Sequence, residues 1–289
     1  MKTFIYENKY MIMISLISSV CLLILFREII KAKVKKMKRY NGVELASATF
    51  IGDRELQEDA MNIVLEEKGI LAVLADGRGK NHVGKISSQL AVKIFAELFA
   101  NENAISNANY FFKRAFNITN REILKKLYDH QGGASIVCAV IIEDLLHYAL
   151  VGNTMIAVFR NNELIPLSEG HTVNVLAQRG FYQGKISKQQ ALWALKEKRL
   201  LNYVGQDGFK DVEIYDVPIR LKKGDLIMLM SDGIHQHASW NKLEEAMKKH
   251  LTCDQIAENI IHQLKDDAIV NKDNASIIIM RYRGHRLRV

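Results

Sequence analysis

Apolar runs of strand length that stop at an acid constrain this chain more than any other feature. "GILAVLAD" (69–76), "DLIMLMSDG" (225–233) and "KDNASIII" (272–279) each set a carboxylate at the end of such a run, and Glu58-Asp59 opens another, "AMNIVLEE" (60–67). Short, branched, nearly uninterrupted apolar runs bounded by turn residues read as buried strands. "VELASATFIG" (43–52) adds a strand before them, and Lys68-Gly69 marks a hairpin. Helical spacing of Leu90, Ile94 and Leu98, then of Phe112 and Phe116, predicts helices over His82–Ala100 and Asn107–His130. Residues 134–168 read as a three-strand meander with turns near Glu143-Asp144, Gly152 and Asn161-Asn162. A polar, helix-prone insert, His171 to Leu201, separates it from "DVEIYDVPIRL", the 225–233 run, helices over Trp240–His250 and Asp254–Lys265, and a last strand, "ASIIIMRYR". Meandering strands with helices gathered in blocks imply an α+β sandwich of antiparallel sheets covered by helices, without Rossmann alternation.

Acids at strand ends converge when the strands share a sheet. One Asp-Gly pair is most simply a turn or a helix cap. Acids at the ends of several apolar strands would repel one another unless a cation neutralised them, and oxygen-only ligands favour hard ions such as Mg²⁺ or Mn²⁺. On that reading Gly77 lets the backbone turn its carbonyl toward the ion beside Asp76.

Charge and cysteine usage narrow the class. The net charge of +8 is concentrated between Arg27 and Arg39, where seven basic residues meet only Glu28. The remainder is near neutral, so nucleic acid is not an expected partner. Cys21, Cys138 and Cys253 have neither zinc nor disulfide spacing and fit a reducing compartment. Ahead of the basic segment, "YMIMISLISSVCLLILF" (10–26) has no charge, proline or glycine. As a helix it would cover about 26 Å, enough to cross a membrane if Lys9 and Arg27 snorkel. No cleavage site follows it. The expected organisation is therefore a tail (1–9), a transmembrane helix (10–26), a basic juxtamembrane segment (27–40) whose residues 27–39 meet anionic lipids, one domain (41–284) and a tail (285–289). Basic charge after the span predicts a single-pass membrane protein with a cytoplasmic domain.

"GDRELQEDA", "LAVLADGRG", "VGN", "DLIMLMSDGI" and "KDNASIII", in that order, give the chain from Val43 to Tyr282 a resemblance to the metal-dependent serine/threonine protein phosphatases, the type 2C or PPM family. "HTVNVLAQRGFYQGKISKQQA" resembles the flap segment of its bacterial members. The resemblance implies a four-layer αββα sandwich of two antiparallel sheets flanked by helices. It also implies two ions, Mn²⁺ or Mg²⁺, bridged by a hydroxide that attacks a phosphoserine or phosphothreonine in line. Carried onto this chain, it makes Glu58 or Asp59, Asp76, Asp232 and Asp273 the metal carboxylates, with Asp76 bridging and the Gly77 carbonyl as a further ligand. Arg54 becomes the phosphate grip, suited to it by a bidentate fork, and Asn274 orients the turn of Asp273. Phosphorylated proteins and an opposing kinase are the implied partners.

Three positions depart from the family. Lys80 stands for a glycine, and Arg78 stands where animal members often carry a histidine proposed as general acid; arginine cannot give up its proton at neutral pH. Both read either as contacts to phosphate or peptide or as solvated loop charge. Asn153 replaces an aspartate associated with a weak third ion; it reads either as a poorer ligand or as a turn former. The alternative to an enzyme is a catalytically weak or inactive scaffold of the same fold that binds phosphoproteins at the membrane. Its expected mark, loss of a core carboxylate, is not seen at Asp76, Asp232 or Asp273.

Overall fold

The computed structural model describes residues 39–40, 42–67, 69–101, 107–128, 131–168, 173–194, 200, 202–209, 212–266 and 271–284. The chain divides into two compact units, Met1–Tyr40 and Asn41–Val289. In the second, the strands are β1 (Val43–Phe50), β2 (Asp59–Glu66), β3 (Gly69–Gly79), β4 (Gly132–Ile142), β5 (Leu145–Val151), β6 (Met155–Arg160), β7 (Glu163–Pro166), β8 (Glu213–Ile214), β9 (Ile219–Arg220), β10 (Leu226–Met230) and β11 (Ala275–Tyr282). The helices are α1 (Val83–Asn101), α2 (Ala108–Leu127), α3 (Val173–Tyr182), α4 (Lys188–Ala194), α5 (Asp232–His235), α6 (Trp240–Lys248) and α7 (Cys253–Asp266).

These strands form two antiparallel sheets. Sheet one runs β1-β11-β10-β6-β7, and sheet two runs β9-β5-β4-β3-β2 with β8 also on β5. Alternation explains why the strands read as solid apolar runs. In β3, Leu71, Val73 and Ala75 pack with Phe95, Phe112 and Phe116 of α1 and α2. Ile70, Ala72 and Leu74, on the opposite face, are equally buried. In β11, Ile277 and Ile279 pack with Ile256 and Ile260 of α7, while Ile278 and Met280 are buried on the other side. Each sheet is thus covered on both faces, by helices outside and by the other sheet inside. Edge-to-face contacts of Phe95 with Phe116 (5.1 Å between ring centres) and of Phe99 with Phe111 (5.8 Å) show α1 and α2 running antiparallel. Truncating Phe116, fully buried, would cost about 3–5 kcal/mol.

The residues 134–168 form four strands rather than a three-strand meander, and they are shared between sheets: β4 and β5 belong to sheet two, β6 and β7 to sheet one. The chain changes sheet at Gly152–Thr154. Gly152 has φ +98°, and a Cβ there would lie 2.3 Å from Ser135 Oγ, so only glycine serves this crossover. A second difference concerns Asp76: β3 does not end there but stays paired to β4 through Gly79 opposite Gly132.

The expected single-pass membrane localisation is corrected: among the described residues no helix is long and apolar enough to cross a membrane. The run 10–26, the basic segment 27–38 with its lipid contact, and the tail 285–289 lie outside the described residues.

Candidate active site

Strand register creates the site. β2 and β3 pair with Asp59 directly opposite Asp76, and Asp76 is in turn opposite Ser135 of β4. Like charges at facing positions of an antiparallel pair destabilise it, so the apolar pairs beyond them, Met61 with Leu74 and Leu65 with Ile70, hold this register against repulsion. Sheet one contributes two more acids. Asp232 opens α5, immediately after β10, with Ser231 in the N-cap position. Asp273 precedes β11, and Met230 faces Ile277 across β10 and β11, which brings the two acid-bearing ends side by side. The sheets are tied here: Ser231 Oγ donates to Asp59 Oδ2 (2.9 Å), and the Asp76 and Asp232 carboxyls share a hydrogen bond.

Gly77 is required by close approach rather than by a turn. A Cβ there would lie 2.1 Å from the Gly84 carbonyl oxygen, at the start of α1, and 2.7 Å from the Glu58 carbonyl oxygen. Its N–H donates to that Glu58 carbonyl (3.2 Å). Asn274 does more than orient Asp273, whose Oδ1 accepts from the Asn274 N–H (2.8 Å). The Asn274 side chain accepts from the Glu58 N–H (2.7 Å) and donates to the carbonyls of Ile51 (2.8 Å) and Leu56 (2.9 Å), fastening the loop that carries Arg54 and Glu58. Arg54 grips Asp273 with both arms of its fork, Nε to Oδ1 (2.9 Å) and Nη2 to Oδ2 (2.8 Å).

Asn153, just past the Gly152 crossover, links the sheets a second time. Ser135 Oγ donates to its Oδ1 (2.7 Å), its Nδ2 donates to Asp232 Oδ2 (2.7 Å), and the His235 ring meets its carbonyl (2.8 Å). Gln236 also donates to Asp232 Oδ2 (3.0 Å). Of the remaining sequence candidates, Arg78 places its guanidinium 4.9 Å from the centre of the Tyr203 ring, a cation–π contact, and Lys80 is exposed in the turn before α1. The structure therefore gathers Arg54, Glu58, Asp59, Asp76, Gly77, Asn153, Asp232, Asp273 and Asn274, and turns Arg78 toward Tyr203. Sequence reasoning missed Ser135, Ser231, His235, Gln236 and Tyr203. Only Ser231 carried a signal, as a serine before Asp-Gly at a helix start.

Crowding shows in the proton affinities. Burial pushes Asp59 up to about 7, opposed by the Ser276 and Ser231 hydroxyls and reinforced by Asp232 and Asp273. Burial, then the charges of Asp232 and Asp59, lift Asp76 well above the carboxylate range. Asp232 is raised by burial and by Asp273, and Glu58 is raised by burial. Donors available here are all oxygen: the carboxylates of Glu58, Asp59, Asp76, Asp232 and Asp273 and the Gly77 carbonyl. Carboxylates forced toward protonation by their neighbours are what a hard divalent cation relieves, and the set fits Mn²⁺ or Mg²⁺. Among the described residues no three His, Cys, Asp or Glu side chains form a ready metal-holding group. Instead, protein donors engage them: Arg54 on Asp273, Asn153 and Gln236 on Asp232, Ser231 on Asp59.

Known proteins share this arrangement of sheets. The serine/threonine phosphatase of Streptococcus agalactiae superposes with a TM-score of 0.73 at 21% identity, over 83% of this chain and 99% of that one. The catalytic domain of the serine/threonine phosphatase PstP, solved with two manganese ions, gives 0.67 at 20% identity, over 83% and 97%. In sequence, the serine/threonine phosphatase stp of Listeria monocytogenes is 24% identical over 217 residues, which cover 73% of this chain and 83% of that protein. Protein phosphatase PhpP of Streptococcus pneumoniae is 22% identical over 76% of this chain and 90% of its own length. The family model described as protein phosphatase 2C matches residues 49–272. With most of the described sandwich inside that match, the chain belongs to the protein phosphatase 2C family.

Proposed function

We propose that this protein serine/threonine phosphatase holds two divalent cations, Mn²⁺ or Mg²⁺, between its sheets and removes phosphate from phosphoserine and phosphothreonine in proteins, countering a serine/threonine kinase. The observation that carries the reading is the register that sets Asp59 against Asp76, with Asp232 and Asp273 brought in from the other sheet. Asp76, on which the charges of Asp232, Asp59 and Asp273 all act, would hold the ions, and Asp59 or Glu58, the Gly77 carbonyl, Asp232 and Asp273 would complete the set. When bound, the ions supply Lewis acidity toward the attacking water and the phosphoryl oxygens. The chain's own groups do the positioning. Ser231 and Asn153 fix the orientations of Asp59 and Asp232. Asn274 holds the Arg54 loop over the acids, so the Arg54 fork can pass from Asp273 to a substrate phosphate, whose oxygens it fits equally well. No protein nucleophile is needed.

The test is phosphate release from phosphothreonine peptides by the purified chain with Mn²⁺, with Mg²⁺ and after exhaustive chelation. Release that depends on the cation supports the reading. Undiminished release after chelation defeats it, as does a folded, cation-binding chain without turnover, which would be a scaffold.

A further inference from the structure

Helix α2 presents a basic ridge that leads away from the acidic site. Its buried side, from Phe111 and Phe112 to Ile123 and Leu127, packs on α1 and sheet two. Its outer side carries Tyr110, Lys113, Arg114, Asn117, Ile118 and Arg121, which line an open groove of about 580 Å³. Tyr110 is 61% exposed there. The helix has one acid, Glu122, and it is already shared between Arg121 (3.2 Å) and Lys125 (3.1 Å). A track of contacts joins this ridge to the site. Arg78, two residues from Asp76, stacks on Tyr203; Val204 is paired by backbone to Ala134; and the Gly205 N–H donates to Asn120 of α2 (2.6 Å), beside Arg121.

We infer that the ridge docks an acidic stretch of the phosphorylated substrate protein, an inference that rests on the phosphatase reading and names its preferred substrate class. Charge complementarity selects the occupant. Clustered Asp or Glu is attracted by the ridge, so a substrate with acids set apart from its phosphate can meet the ridge and the site together. Exposed tyrosine among arginines is the composition of energetic anchors at interfaces. From Tyr110 to Arg121 the ridge is about 16 Å long, the length of about five extended residues.

Two sets of phosphothreonine peptides test it with the full chain and Mn²⁺. One carries six glutamates behind a Gly-Ser spacer of about five or ten residues, on either side of the phosphothreonine; the other carries serines instead. The small ester p-nitrophenyl phosphate reports the site alone. At low salt the glutamate peptide should show kcat/KM about tenfold higher, through KM, and the advantage should shrink as salt rises. Lys113→Glu with Arg121→Glu should abolish the preference and leave p-nitrophenyl phosphate turnover unchanged; Lys113→Gln with Arg121→Gln gives the same reading if the glutamates disturb folding. Equal rates on both peptides in the unaltered chain, or a preference that survives in both variants, would overturn the inference. So would single-stranded DNA occupying the face while the peptides are handled alike. Failure of the unaltered chain to hydrolyse p-nitrophenyl phosphate would instead count against the phosphatase reading.

Discussion

The same strands carry acids at both ends, fully buried at one and half-buried at the other, and treat them in opposite ways. At one end Glu44 faces Arg281 across β1 and β11, accepts from the Cys253 N–H (2.9 Å) and is gripped by Arg283. Burial alone would raise its proton affinity, but the Cys253 N–H and the two arginines outweigh it and hold Glu44 below its ordinary range. Asp225, just ahead of β10, is held by Arg160 at 3.0 and 2.5 Å and by the Lys222 N–H at 2.6 Å. At the other end of β10 and β11, Asp232 and Asp273 face Asp59 and Asp76; burial raises Asp59, Asp76 and Asp232, the charges of Asp232 and Asp273 add to the rise of Asp59 and Asp76, and that of Asp273 adds to the rise of Asp232. One end satisfies every carboxylate and serves the fold. The other keeps carboxylates in conflict and is disposed toward a cation.

Making the conflicted end resemble the satisfied one should have the largest effect. Asp76→Asn removes one charge from the crowd, so cation-dependent phosphate release should fall by about a thousandfold or more. Cation-free thermal stability should hold or rise as repulsion is relieved; parallel assays and melts check both. Asn153→Ala leaves the acids in place and removes the clamp on Asp232. Mn²⁺ affinity, measured by calorimetry, should weaken by about 10–100-fold, as when a ligand's supporting hydrogen bond is lost. Affinity equal to that of the unaltered chain would make Asn153 a turn former only. Arg54→Ala frees Asp273 and removes the fork; we expect a rise of about tenfold in KM for phosphopeptides with kcat less affected.

The smallest effect on turnover should come from the satisfied end. Glu44→Gln strands Arg281 and Arg283 and should lower stability by about 2 kcal/mol at neutral pH with activity intact. Because the folded-state pKa of Glu44 is depressed, its contribution is complete above the ordinary value of 4.5 and is lost as pH falls through the lower folded value. Urea unfolding between pH 6 and pH 3 should therefore show a shallower acid decline in Glu44→Gln than in the unaltered chain.

Local pattern made the strands and long helices legible: β10, α6 and β11 fall where periodicity and turn residues put them. The partition of strands between sheets was not legible. β4 is buried on both faces along nearly its whole length, and such a run carries no mark of which sheet it joins; the crossover after β5 looks in sequence like any Gly-Asn turn. The site was readable as a set of acids because each ends an apolar run. Its geometry was not, since it depends on pairs such as Arg54 with Asp273, 219 residues apart, and Ser231 with Asp59, 172 apart. Asn153 read either as a poorer ligand or as a turn former, and what it holds could be seen only once Ser135 and Asp232 lay on either side of it.

The tether from Asn274 back to Ile51, Leu56 and Glu58 has a consequence during synthesis. A nascent chain can pair β2 with β3 and set Asp59 against Asp76 early. Until the last strand emerges from the ribosome it has neither Asp273 nor the side chain that fastens the Arg54 loop. Half-made phosphatase should therefore be silent toward phosphoproteins, with activity arriving only when translation has delivered the final strand.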